Sequence, residues 1–387
     1  MPEAISCPVC ASTACESFME PYTGPTISSD FGVVNPASLD NRICRTCGLI
    51  FNAKGVREST TDFYRNTYSL LLHTKEAGVT QFFDNRQVSQ AKLSYELLAE
   101  QLSPAQTGRL FEVGAGKGHF LRYFQADFPD WELAALEPSQ AHHALLDFLP
   151  QENVFPCGYT EHALSPASQD IIVALGVLEH VTNPLDMLRW MYQGLVPGGR
   201  CFIRVPNFRN NPNDLYCVDH LSKLTTGTLA WLAAQCGFGF RVLRETGVPV
   251  FIELTRGSGV PEPVNAYCDN KALAEANANI ATKSLKTIEA VRKTALEHGE
   301  NFAIFGLAAS GLFAPFACGF PAEEITAYID ENKALSAMHI HGRPVGGLDL
   351  IEKLRIRHIA LTISPAYWNT VKAKLEPYGA TVSTPSL

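Results

Sequence analysis

The run Arg109-Leu-Phe-Glu-Val-Gly-Ala-Gly-Lys-Gly-His-Phe-Leu-Arg122 constrains the fold more than any other part of this chain. An apolar strand closes on an acid, three glycines alternate with other residues, and the apolar spacing then changes to that of an amphipathic helix. Gly114, Gly116 and Gly118 let the backbone turn sharply and approach a ligand, as the first strand-to-helix turn of a doubly wound parallel sheet requires. A dinucleotide site would carry G-x-G-x-x-G, with a helix N-terminus facing a pyrophosphate. Here the spacing is G-x-G-x-G. Glu112, two residues before the first glycine, would repel a pyrophosphate but can accept a hydrogen bond from an ammonium group. The turn therefore suits a nucleoside.

With 387 residues the chain has room for two or three domains. The net charge of −8, with no basic run of five, argues against a nucleic-acid surface. The N-terminus lacks a basic segment followed by an apolar core, and the longest apolar run, Ile171 to Leu178, is too short to span a bilayer. The expectation is a cytoplasmic protein with no membrane partner, in which eleven cysteines serve as thiols or metal ligands rather than disulfides. Cys157, Cys201, Cys217, Cys236, Cys268 and Cys318 are isolated and read as small hydrophobes.

Cys7-Pro-Val-Cys10 and Cys44-Arg-Thr-Cys47 are two C-x-x-C knuckles, each presenting two thiolates from a tight turn. Together they suit one tetrahedral Cys₄ site with a structural zinc, and iron is the alternative metal. A redox dithiol would need one such pair beside a βαβ unit, not two ahead of it. Cys15 falls outside the pattern, and the gap between knuckles has room for a hairpin. After them, Tyr64 and Tyr68 stand four apart and would share a helix face, either packing on the next domain or covering the ligand.

A helix from about Val79 to Leu102 leads into the glycine turn, and strands and helices then alternate, the pattern of a parallel sheet. Phe120, Leu121, Phe124 and Phe128 recur at helical spacing and read as core. The strand Trp131 to Leu136 ends in Glu137-Pro138-Ser139, and Glu137 stands 23 residues beyond Gly114, near the offset of an acid that meets ribose hydroxyls. Val154-Phe155 forms the third strand, with Gly158 and Tyr159 following where an adenine edge would lie. Asp170 to Pro184 is the next strand and its loop, and a helix capped by Asn183 and begun by Pro184 ends at Leu195-Val-Pro-Gly-Gly-Arg200.

The series E-V-G-A-G-K-G, L-E-P-S, D-I-I-V-A-L-G-V-L-E-H-V, L-V-P-G-G and R-V-P-N is similar, in order and spacing, to class I S-adenosylmethionine-dependent methyltransferases. The resemblance implies a Rossmann-like α/β sheet and a cofactor pocket formed by the glycine turn, Glu112, Glu137, Pro138, Ser139, Gly158, Tyr159 and Leu175. Glu179 and His180 would close that pocket, with Tyr64 and Tyr68 over it.

Beyond the last motif, Asn210-Asn-Pro-Asn-Asp-Leu-Tyr-Cys-Val-Asp-His-Leu-Ser-Lys-Leu-Thr225 is polar and aromatic and follows the strand end where an acceptor would sit. Asp219 and His220 offer a carboxylate and a base, provided that the loop turns so both face the site. With the zinc knuckles in front and the C-terminal half behind, the chain resembles bacterial sugar C-methyltransferases that act on nucleotide-linked keto-deoxysugars. That family reads roughly Y-x-E-H in the acceptor loop. Here Tyr216-Cys-Val-Asp-His220 has Asp for Glu and one extra residue. The resemblance implies catalytic roles for His220, Asp219 and Tyr216, with His220 removing a proton alpha to a ketone before in-line methyl transfer.

Residues from about Val264 to Glu300 read as one or two helices, and Asn301 to Gly306, Gly311, Ile325 to Asp330, Asp349 and His358 to Thr362 outline a second Rossmann-like sheet. In the resembling family this unit helps to hold the nucleotide sugar; the basic residue usual in its first turn is replaced here by Ala309-Ser310-Gly311. The expected organisation is residues 1–78 as a zinc-binding module, 79–262 as the methyltransferase domain and 263–387 as a helical linker and Rossmann-like domain, in a monomer or homodimer. The alternatives are O- or N-methylation of another sugar or natural-product precursor and, in a different class, a nicotinamide-dependent oxidoreductase.

Overall fold

The computed structural model describes residues 5–56, 62–68, 80–83, 86–247, 249–336 and 338–386. The first of these segments carries β1 (Cys15–Ser17), β2 (Tyr22–Ile27), β3 (Val33–Leu39), β4 (Asn41–Cys44) and β5 (Ile50–Asn52). β2 and β3 form the antiparallel hairpin expected between the cysteine knuckles, and β1, β4 and β5 form a small sheet. β6 (Thr80–Phe83) and β7 (Arg86–Ser89) pair antiparallel ahead of α1 (Gln90–Ala99). The expected start of a helix at Val79, and with it the boundary between residues 78 and 79, lies outside the described residues. Thr80–Phe83 and Arg86–Ser89 are paired strands rather than helix, and α1 begins where Ser89 Oγ accepts from the amide of Lys92.

The chain then runs through β8 (Arg109–Val113), α2 (His119–Asp127), β9 (Glu132–Leu136), α3 (Gln140–His143), β10 (Val154–Phe155), β11 (Gln169–Leu175), α4 (Pro184–Gly194), β12 (Leu195–Pro206), β13 (Ser222–Lys223), α5 (Thr226–Cys236), β14 (Phe238–Arg244) and β15 (Pro249–Arg256), all of whose strands except β13 form the central sheet. Its order is β10-β9-β8-β11-β12-β15-β14, with β15 antiparallel to both neighbours and the other strands parallel to one another. Strand order reverses at β8, so the crevice at the carboxyl ends of β8 and β11 is where a ligand binds in such a sheet.

Helices on both faces explain the uninterrupted apolar run Ile171 to Ala174 in β11, every residue of which is buried. Phe120, Leu121 and Phe124 of α2 are core, as their spacing requires. Asn183 Oδ1 accepts from the amides of Leu185 and Asp186, and Pro184 opens α4. Leu195 to Arg200 differs from expectation: it begins β12 rather than ending α4. The Pro-Gly-Gly sequence cannot prolong a helix, and the β11–β12 register shifts there, from Gln169 opposite Leu195 to Ile171 opposite Arg200.

β13 lies after the acceptor loop in sequence yet extends the small N-terminal sheet, to the order β1-β4-β5-β13. A single helix, α6 (Tyr267–His298), then binds the parts together. Its buried Asn270 donates to the carbonyl of Gly48, and its Asn277 to that of Phe208. These bonds account for asparagines in a helix interior, where propensity disfavours them. The C-terminal sheet holds β16 (Asn301–Phe305), α7 (Ala309–Cys318), β17 (Ala327–Ile329), β18 (His339–Ile340), β19 (Arg343–Gly346), α8 (Asp349–Lys353), β20 (Ile356–Leu361), α9 (Trp368–Leu375) and β21 (Thr381–Ser383). The order is β18-β19-β17-β16-β20-β21, parallel except for β18. Gly311 lies inside α7: a Cβ there would stand 2.8 Å from Ile304 Cγ2, so its absence lets the helix approach β16. Among the described residues no helix is long and apolar enough to cross a membrane.

Candidate active site

β8 ends in Glu112 and Val113, and the chain enters the glycine turn with φ of +69° at Gly114, +53° at Gly116 and +71° at Gly118. A Cβ on Gly114 would meet Val177 Cγ2 at 2.7 Å, and one on Gly118 would meet Leu146 Cδ2 at 2.7 Å, so both permit close packing. At Gly116 a Cβ would meet nothing within 4 Å. That amide therefore borders open space at the reversal point of the sheet. Glu137, at the end of β9, accepts from the Gly116 amide through Oε2 at 2.6 Å and from the Ser139 amide through Oε1 at 2.8 Å. The turn and the next strand end are thus one hydrogen-bonded unit.

Glu112 and Glu179 are buried, and each has a carboxyl oxygen, Oε2, with no partner among the described residues. Burial, reinforced by the charge of Glu137 and partly opposed by Arg204, holds the Glu112 carboxyl well above the usual carboxylate range. A cationic ligand placed between them would remove that penalty. Ser139 Oγ is likewise buried without a partner.

Across the crevice stand two histidines whose ring centroids are 4.7 Å apart. His180 Nδ1 lies 3.1 Å from the backbone carbonyl of Asp219, an acceptor only, so it carries the proton and Nε2 is the free lone pair. Tyr64 Oη is 2.6 Å from the same Nδ1 and donates to Asp219 Oδ2 at 3.2 Å. Burial pushes His180 below the ordinary histidine range, only partly offset by Glu179.

His220 is held in the opposite state. Its Nδ1 is 2.5 Å from Asp214 Oδ1. Burial opposes its charge, but Cys217 and Asp214 outweigh that and raise it well above the ordinary range. The Cys217 thiol is itself pushed up to about 12, chiefly by burial, so near neutral pH it is uncharged and Asp214 is the effective partner. Lys223, with no exposed surface, donates to the carbonyls of His220 at 2.5 Å and Cys217 at 3.3 Å and lies 4.0 Å from Asp214 Oδ2. The loop is wrapped around this ammonium, which fixes the dyad.

Residues 85–243 match the family model described as a methyltransferase domain, a segment that is less than half of the chain. This segment is similar to methyltransferase domains. The chain is accordingly an enzyme. No curated protein matches it. Solved structures similar to it include the S-adenosylmethionine-dependent methyltransferase from Mesorhizobium loti, at 15% identity over 42% of this chain and 96% of that one, TM-score 0.35. Another is the YcgJ protein from Bacillus subtilis, at 13% identity over 43% of this chain and 100% of that one, TM-score 0.38.

Within the matched segment, Glu112, the glycine turn, Glu137, Pro138 and Ser139 come together, and Leu175 ends the adjacent strand with Glu179 in the loop after it. The Glu137 amide bonds to the Phe155 carbonyl, which brings Gly158 beyond the same edge, although the Tyr159 ring packs on Trp190 of α4. Tyr64 and Tyr68 have ring centroids 5.0 Å apart on the turn Phe63–Thr67, and both rings lie against His180 rather than the glycine turn.

Two expectations for the acceptor loop are corrected. Tyr216 does not join the histidines: its ring lies 5.0 Å from Phe313 of α7, in the core shared with the C-terminal sheet, because Pro212–Tyr216 is a 3₁₀ turn that faces it there. Asp219 is not the partner of His220. It accepts from the amide and hydroxyl of Ser29 at 2.8 and 2.7 Å and stands 3.5 Å from His180. Asp214, Lys223 and Ser29 gave no distinguishing signal in the sequence: Asp214 lies six residues before its histidine inside an asparagine-rich turn.

In the N-terminal sheet, Cys7, Cys10, Cys44 and Cys47 bring their sulfurs within 4.8 Å of one another. The Cys7–Cys47 and Cys10–Cys44 separations are 3.6 and 3.5 Å. A tetrahedral zinc with bonds of about 2.3 Å sets sulfurs about 3.8 Å apart, so the donor set fits that ion with a small expansion. Cys15 instead bonds the Ser12 carbonyl.

Proposed function

We propose that the enzyme is an S-adenosylmethionine-dependent methyltransferase that C-methylates a nucleotide-linked keto-deoxysugar. The observation that carries this reading is the buried Asp214–His220 dyad, facing His180 and Glu179 at the edge of the glycine-turn crevice. When bound, S-adenosylmethionine supplies a methyl group on a sulfonium. Gly116 and Glu137 hold the nucleoside, and Glu112 and Glu179 receive its ammonium. Asp214 accepts from His220 Nδ1 and so aims Nε2 at the acceptor. Once deprotonated, Nε2 would take the proton from the carbon alpha to the ketone, leaving an enolate carbon to which the cofactor would supply its methyl, with S-adenosylhomocysteine as the leaving product. Asp219 and Tyr64 orient His180 beside it. A ketone is required because an unactivated C–H is far too weak an acid for imidazole.

Cys7, Cys10, Cys44 and Cys47 hold a structural zinc in this reading, and the C-terminal sheet buttresses the acceptor loop, where Asn213 Nδ2 donates to the Thr362 carbonyl at 2.7 Å. The test is incubation with S-adenosylmethionine and a panel of nucleotide-linked sugars in deuterated water. Methyl incorporation with deuterium exchange beside the ketone is the expected result. Methylation of hydroxyl-only sugars without carbon exchange would replace it with O-methylation.

A further inference from the structure

Arg204 is opposite Leu175 in the β11–β12 register, and its carbonyl accepts from the Gly176 amide at 2.9 Å. Its backbone therefore stands at the rim of the crevice, where β11 ends. The guanidinium turns into the crevice: Nη2 lies 3.2 Å from the point where a Cβ of Gly176 would stand, and Glu179 Oε1 lies 3.6 Å from the same point. Gly176, at φ +75°, leaves this gap clear. Glu112, Glu179 and Tyr68 act on the guanidinium electrostatically. Yet among the described residues no hydrogen bond or ion pair engages it.

Among the described residues the guanidinium's five N–H donors, set in a planar fork, have no acceptor, and the two carboxyls that act on it, Glu112 and Glu179, each have an oxygen without a partner there. The order is acid, guanidinium, acid, and the Glu112 carboxyl is the one whose ionisation burial opposes. A polyanionic acceptor group, such as a diphosphate, would gain one guanidinium and face two acids. A zwitterion with a carboxylate and an ammonium on one carbon matches all three. Lys223 cannot serve instead, because its ammonium is engaged by the carbonyls of Cys217 and His220.

We infer that Arg204 binds the carboxylate of the methionine moiety of the cofactor, while the orphan oxygens of Glu112 and Glu179 take its ammonium. The inference rests on the proposed S-adenosylmethionine site and adds the group that recognises its amino-acid end. A bidentate guanidinium–carboxylate pair fixes the orientation of the methionine chain, and with it the direction in which the sulfonium methyl points. Arg204 is thus a positioning residue as well as an affinity determinant.

The test compares binding of S-adenosylhomocysteine, its decarboxylated analogue and 5′-methylthioadenosine to the full-length wild type and to Arg204→Gln. The wild type should prefer S-adenosylhomocysteine to the decarboxylated analogue by about 10- to 100-fold, the range for a charged hydrogen-bonding group. Arg204→Gln should lose that preference while binding the decarboxylated analogue and 5′-methylthioadenosine as the wild type does, which also shows the variant to be folded. Arg204→Lys should restore part of the preference. Equal weakening of all three ligands would overturn the assignment, as would unchanged S-adenosylhomocysteine affinity with a raised acceptor KM. Failure of the wild type to bind any of the three would instead remove the cofactor reading on which it stands.

Discussion

The carboxylate of Asp214 lies 2.5 Å from Nδ1 of His220, six residues further along a turn that closes around the ammonium of Lys223. This contact sets both the tautomer and the titration of the histidine. Because His220 is raised above the ordinary range, its Nε2 becomes a proton acceptor at higher pH than a free imidazole would. Turnover should therefore increase with pH through that raised pKa. Asp214→Asn removes the carboxylate while burial, which lowers the pKa, persists. Its rising limb should move to lower pH, and its plateau should fall by about 10- to 100-fold as the ring loses orientation. A pH–rate profile of kcat/KM checks both; an unshifted limb contradicts the dyad. The same shift has a stability consequence. The His220 contribution is full below its unfolded pKa of about 6.5 and is lost as pH rises through the folded value.

His220→Asn keeps a polar side chain of similar reach but cannot accept the proton. We expect kcat to fall by about 10²- to 10⁴-fold, the usual share of a general base, with S-adenosylhomocysteine affinity within about twofold of wild type. Single-turnover kinetics and calorimetry separate the two quantities. Turnover near the wild-type rate would eliminate His220 as the base.

Gly116 and Gly198 form a matched pair: both have positive φ, +53° and +75°, and neither would bring a Cβ within 4 Å of other atoms. Alanine at either position carries a similar backbone cost, about 1–2 kcal/mol. Only Gly116→Ala should also weaken S-adenosylhomocysteine, by about tenfold or more, since only that amide borders the crevice and bonds Glu137. Comparing thermal midpoints with binding constants for the two variants checks this. Equal binding in both would mean that the open space at Gly116 is not the nucleoside site.

The cysteine cluster predicts about one zinc per chain in purified protein. Cys44→Ser should lose it and lower the thermal midpoint, because Cys44 is both a donor and the last residue of β4. Cys15→Ser should retain the metal. Elemental analysis of the two variants distinguishes a four-sulfur site from one that uses Cys15.

The sheet was legible because its signals are local. Asn183 and Pro184 announce α4, the glycines announce the turn, and β11 has the unbroken apolar run of a strand covered on both faces. The hairpin before α1 was missed because ten residues can read as either period. In the candidate site, the sequence puts Glu112 and Glu137 at strand ends, as the structure does, whereas Glu179 came from the motif resemblance. Asp214 was not, because its pairing with His220 depends on a non-periodic turn and on a buried lysine nine residues later. Tyr216 misled for the same reason: the turn that brings Asp214 inward faces the tyrosine toward Phe313. Arg204 sits in an apolar strand, where sequence shows a polar residue but not the carboxyls of Glu112 and Glu179 that act on it.

The central claim is that the glycine turn, Glu112 and Glu137 hold S-adenosylmethionine. Calorimetric titration of the full-length protein with S-adenosylhomocysteine and, separately, with NAD⁺ and NADPH tests it most directly. One site per chain for S-adenosylhomocysteine, unchanged by excess dinucleotide and weakened at least tenfold by Glu137→Ala, is the predicted result. Saturable dinucleotide binding with no response to S-adenosylhomocysteine would contradict it.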